Sequence, residues 1–101
     1  MADTYRTAAN GTRLTVYLTG EIDMDRSPEV RKALVAAVGQ GRALTVDMAG
    51  VDYMDSSGIA CLVLAYQQAN TARLDFELAN VQPRVRKVLE LARLDKVFRI
   101  V

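Results

Sequence analysis

Polar and hydrophobic residues alternate in three separate stretches of the chain, and apolar residues recur with helical spacing between them. Over residues 13–19, Leu14, Val16 and Leu18 point one way and Thr15, Tyr17 and Thr19 the other, the period of a strand with one buried face. Residues 43–48 set Leu44, Val46 and Met48 against Thr45 and Asp47, and residues 73–78 set Leu74, Phe76 and Leu78 against Asp75 and Glu77. A further strand is predicted at 4–9, joined to the next by Asn10-Gly11, two residues that tolerate positive φ and favour a hairpin turn. Gly20 is predicted to end the second strand, with a loop over 21–26.

Ser27 is the predicted N-cap of a first helix, with Pro28 at the first helical position, where its missing N–H costs nothing. Val30, Ala33, Leu34, Ala37 and Val38 then form one apolar face, and Gly39 and Gly41 offer a stop. A second helix over 57–70 is apolar almost all round, which predicts a central place in the helical layer with Ile59, Leu62, Val63 and Tyr66 toward the sheet. A third follows Asn80-Val81-Gln82-Pro83, with Val85, Val88, Leu89 and Ala92 inward and Arg84, Arg86 and Lys87 on a solvated face. A short helical turn and a last strand are predicted at the end.

The order is an α/β one: an opening hairpin, then strands and helices in turn, hence parallel neighbours joined by right-handed crossovers. A parallel sheet covered on both faces reads as continuous apolar runs, and these strands alternate instead, so helices are expected mainly on one face of a mixed, mostly parallel sheet. With 101 residues, 50% hydrophobic and 25% charged, residues 1–101 are expected to form a single domain. The longest apolar run falls far short of the ~20 residues that cross a bilayer, and the first residues carry no cleavable signal pattern. A cytoplasmic protein without membrane insertion is expected.

Net charge of +1 gives no reason to expect direct nucleic-acid binding. The chain has no histidine, which removes the commonest general base and transition-metal ligand and excludes a Ser-His-acid triad and zinc chemistry. Cys61, alone in the chain, reads as a small packed hydrophobe. No catalytic residue, cofactor or metal is expected. Magnesium at Asp23, Asp25, Asp52 and Asp55 is the alternative considered, against which solvated loop acids are the commoner outcome.

Candidate chemistry gathers in Tyr53-Met54-Asp55-Ser56-Ser57-Gly58-Ile59. Either serine can cap the helix that follows, and one suffices. Beside Gly58, where the backbone is expected to be bare and approachable, the other hydroxyl lies where a helix N-terminus favours negative charge, which suits a phosphoryl acceptor or an anion site. Chain order sets Glu21, Asp23 and Asp25 after the second strand and Asp52 and Asp55 after the third, all at the carboxyl edge of the sheet, where α/β folds carry function. Met24, Tyr53, Met54 and Ile59 share that rim and are expected to supply apolar contact area.

Three stretches, Leu18-Thr19-Gly20-Glu21-Ile22-Asp23, residues 47–59, and Leu89-Glu90-Leu91-Ala92-Arg93-Leu94-Asp95-Lys96-Val97-Phe98, give the chain its resemblance to the STAS-domain anti-sigma factor antagonists. The resemblance covers essentially the whole length, with Arg93 where that family often has glycine. It implies that Ser57, immediately before the motif glycine, is phosphorylated by an anti-sigma factor serine kinase of GHKL type and restored by a PP2C-like phosphatase. The unphosphorylated form is implied to bind the anti-sigma factor and free the sigma factor, through Asp23, Met24, Asp25, Tyr53, Met54, Asp55, Ser56, Ser57, Gly58 and Ile59. The other expectation is a constitutive STAS adaptor in a lipid-transport ATP-binding cassette or signalling complex.

Overall fold

The computed structural model describes residues 5–101. The predicted first strand therefore begins, at Thr4, outside the described residues. Strands β1 (Tyr5–Asn10) and β2 (Arg13–Ile22) form the antiparallel hairpin. Asn10 pairs with Arg13, so the turn is Gly11-Thr12 rather than Asn10-Gly11. Gly11, with φ +63°, takes the first central position, which requires positive φ in a type II′ turn.

Helix α1 (Ser27–Val38), strand β3 (Ala43–Met54), helix α2 (Ser56–Thr71), strand β4 (Phe76–Ala79), helix α3 (Pro83–Leu91) and strand β5 (Arg99–Ile100) complete the order. The sheet runs β1-β2-β3-β4-β5, and every pair after the first is parallel. Each crossover steps one place in the same direction, so right-handed connections put all three helices on one face. The expected mixed, mostly parallel sheet covered on one side is the observed architecture.

Between sheet and helices lies one core, in which Leu14, Val16, Leu18 and Ile22 of β2 and Leu44, Val46 and Met48 of β3 meet Leu34 of α1, Leu62 of α2 and Leu89 of α3. Burying each such side chain stabilises the fold by about 1.5–3 kcal/mol. Tyr66, Phe76 and Phe98 close the end near β5, with ring centroids 5.6–6.1 Å apart. On the uncovered face Arg13 donates to Asp75 (2.6 Å) and Thr45 (2.9 Å), and Thr45 donates to Glu77 (3.0 Å). Thr45 is buried under this network, which explains a polar residue in the central strand.

Several boundaries differ from the sequence expectation for physical reasons. Strand β2 continues through Gly20, and β3 continues six residues past Met48, because two register shifts between Tyr17 and Glu21 let the strands stay paired. Each shift inserts one extra residue in β3, so inward residues come at steps of three, Met48, Val51 and Met54. Strand β4 starts at Phe76, not Arg73, because Arg73 is left-handed (φ +59°) and closes α2: Leu74 N–H reaches Ala69 O at 2.8 Å. The fully buried stripe of α2 is Gly58, Cys61, Leu62, Ala65 and Ala69, while Ile59, Val63 and Tyr66 are half-buried at its flanks. Small residues take the closest approach and large ones flank it. Ala92, expected inward, is exposed beyond the end of α3.

Candidate functional site

Ile22 pairs with Met54 at the carboxyl ends of β2 and β3, and the chain leaves both strands side by side. Asp55 N–H donates to Ile22 O at 3.2 Å, which ties the start of α2 to the loop that leads into α1. That loop is organised by Asp23, whose Oδ1 accepts from the backbone N–H of Asp25 and Arg26, both at 3.1 Å. Ser27 does not cap α1 as expected: its hydroxyl donates to Met24 O at 3.3 Å, and Asp23 O accepts the Ser27 N–H at 2.8 Å. Asp23 instead gathers the N–H groups of Asp25, Arg26 and Ser27 ahead of the helix, and the Arg26 carbonyl takes Val30 N–H at 3.1 Å, so α1 starts from Arg26 without a side-chain cap.

The cap of α2 is Asp55, not a serine. Its Oδ1 accepts from Ser57 N–H (2.9 Å), Gly58 N–H (3.2 Å) and the Ser57 hydroxyl (2.5 Å). The Ser57 hydroxyl bond, with the backbone donors, holds the Asp55 carboxyl below the ordinary carboxylate range. Ser57 is half-buried and Ser56 exposed. Ser56 makes no cap, and Ser57 is the serine locked into the geometry of the helix start.

Gly58 is buried, and a Cβ there would lie 2.6 Å from Met54 Cγ and 2.9 Å from both Ile22 Cγ2 and Ile22 O. The missing side chain therefore faces inward, letting α2 sit directly on the ends of β2 and β3, rather than baring backbone to a visitor. Met54, expected on the contact rim, is fully buried by the second register shift and belongs to the core. Gly58 and Met54 accordingly offer no side-chain surface. Met24 (75% exposed) and Tyr53 (41%) do stand on the rim, with Asp23 half-buried, Asp25 exposed and Ile59 half-buried against the core.

Asp52 sits within β3 rather than after it, and among the described residues no three acids or thiols cluster closely enough to hold a metal ion. Cys61 is buried, its thiol donating to Ser27 O (3.2 Å) and Ser57 O (3.3 Å), and burial raises its pKa. It joins the starts of α1 and α2 as packing. One residue at this edge escaped the sequence reading: Arg31 of α1 lines a groove with Ser57. Only the helical period, placing it one turn from Ser27, could have pointed to it. Among the described residues, no helix is long and apolar enough to cross a membrane.

A family model described as "Mlab, STAS domain" matches residues 5–101. A STAS-domain containing protein of Pseudomonas aeruginosa is 31% identical over 99% of this chain and 99% of its own length. The anti-sigma-B factor antagonist of Listeria monocytogenes is 30% identical over 86% of this chain and 77% of its own. Among solved structures, an anti-sigma factor antagonist from Mycobacterium paratuberculosis superposes with a TM-score of 0.84 at 27% identity, over 96% of this chain and 83% of that one.

Proposed function

The chain belongs to the STAS-domain family, and on that premise we propose that it is an anti-sigma factor antagonist switched by phosphorylation of Ser57. The unmodified form binds an anti-sigma factor that is itself a GHKL-type serine kinase and so frees the sigma factor. In the switching step the γ-phosphoryl of ATP passes to Ser57 Oγ, ADP leaves, and the hydroxyl proton is lost. A PP2C-like phosphatase hydrolyses the ester and restores the antagonist.

The observation that carries this reading is the 2.5 Å bond from the Ser57 hydroxyl to Asp55 at the open end of α2, on the same edge as exposed Met24 and Tyr53. Phosphorylation removes that donor and sets about −1.5 to −2 charges beside a carboxylate that is already ionised. The contact surface of Asp23, Met24, Asp25, Tyr53, Asp55, Ser56 and Ile59 then carries a strongly hydrated dianion at its centre. A partner that closed over it without a matching cation would have to strip that hydration, at a cost of several kcal/mol. The fold itself has no reason to change, because the phosphate forms at a helix start whose backbone cap remains in place.

Titration calorimetry with a GHKL-type anti-sigma factor kinase from the same cell tests the switch. Wild type and Ser57→Ala should bind alike, and Ser57→Asp at least about tenfold more weakly, the equivalent of about 1.4 kcal/mol. Equal affinity for all three sinks the switch and supports a constitutive STAS adaptor in a transporter or signalling complex. One finding favours that second reading: the matched family model is described as Mlab rather than as an antagonist.

A further inference from the structure

The starts of α1 and α2 face each other across a groove of about 190 Å³ lined by Ser27, Pro28, Arg31, Ser57, Ala60 and Cys61. Its two sides are tied at the base by Cys61 Sγ, bound to Ser27 O and Ser57 O. The first turns of both helices, where the helix dipole is positive, line this space. Arg31 belongs to α1, and its charge reaches the Cys61 thiol, partly opposing the rise that burial causes. Arg31 is exposed, and none of the five ion pairs among the described residues includes it. Water occupies about 30 Å³ per molecule, so the groove has room for a phosphoryl group.

We propose that Arg31 is the residue that pairs with the phosphate of phosphorylated Ser57, so that the modified side chain turns from Asp55 into the groove between the helix starts. The inference rests on the phosphoswitch reading and adds its regulation. In the unmodified protein the hydroxyl donates a hydrogen bond to the Asp55 carboxylate. Once esterified, Oγ has no proton to give, Asp55 repels the dianion, and the cation across the groove attracts it. The guanidinium fork matches two phosphate oxygens. Release of the partner then comes from a phosphate held in this chain as well as from its hydration, and the same pairing sets how readily a phosphatase can take it.

The test uses full-length chain with phosphoserine installed at position 57 during translation, so that no kinase is needed, and follows the phosphorus chemical shift against pH. Arg31 and Cys61 line the groove with Ser57, Asp55 caps its helix, and the other charged groups of the two helix starts are Glu29 on α1 and Asp23, Asp25 and Arg26 in the loop before it. Only Arg31 changes between samples. A neighbouring cation favours the dianion, so Arg31→Gln should raise the second phosphate pKa by about half a unit or more. Arg31→Lys should return most of that shift, and 1 M salt should shrink the difference. Equal midpoints in wild type and Arg31→Gln, with thermal midpoints of the unmodified proteins also equal, overturn the pairing. Failure of the switch itself looks different: the kinase would leave Ser57 unmodified while the installed phosphoserine still sensed Arg31.

Discussion

The Ser57 hydroxyl donates a hydrogen bond to the carboxylate that caps its own helix, so the chemistry of the switch and the stability of the helix start share that bond. Replacing Ser57 by Ala removes the largest cause of the lowered Asp55 pKa and leaves only weaker ones, chiefly backbone donors. Asp55 should then titrate higher, closer to the ordinary value of about 3.9, as followed through its carboxyl carbon by NMR. The stability linked to a lowered carboxyl pKa is present above that ordinary value and lost as pH falls through the folded one, so the Ser57→Ala protein should lose less on acidification. An unmoved Asp55 titration would contradict the bond. Gly58→Ala should destabilise by about 1–3 kcal/mol in urea unfolding, since its Cβ would press on the backbone oxygen and side chain of Ile22 and on Met54. At this scale the sequence made the glycine's presence visible but not its direction. A residue with no side chain leaves no periodic trace of which way it faces.

Within elements, legibility follows how regular each one is. The alternation over 13–19 and 43–48 placed the strands and their buried faces correctly, and the apolar face of α1 is buried at Val30, Leu34, Ala37 and Val38. The pattern failed past Met48, where β3 was expected to end: the strand runs on, one extra residue turns Val51 inward, a second restores the original face at Met54, and Met54 went from expected rim to core. The strand start expected at Arg73 and the inward Ala92 missed for a related reason: arginine is not a usual turn signal, yet Arg73 and Arg93 both take left-handed backbone after α2 and α3. Arg93, with φ +60°, has its N–H on Glu90 O, and Leu94 N–H reaches Leu89 O at 2.8 Å, so the turn is built as if for glycine. Arg93→Gly should therefore stabilise the fold by about 0.5–1 kcal/mol in chemical denaturation. A loss of stability there would contradict the reading of that turn.

At the scale of the whole molecule, a monotonic strand order leaves helices on one face, and the ends of β2 and β3 converge at one edge. That convergence brings Asp23 and Asp55 next to each other, sets Tyr53 and Met24 on the same rim, and opens the groove between α1 and α2 beside Ser57. Strand and helix order alone put the acids at this edge, and the partnership of Ser57 with Asp55 is local to one stretch, two residues apart, while the nearness of Arg31 depends on how two helix starts pack, which no single stretch of sequence encodes. The account turns on Ser57 as the phosphoacceptor. Intact mass after incubation with the partner anti-sigma factor kinase and ATP tests it most directly: wild type and Ser56→Ala should each gain one phosphoryl group and Ser57→Ala none, whereas a phosphoryl group on Ser57→Ala, or none on wild type, would contradict it.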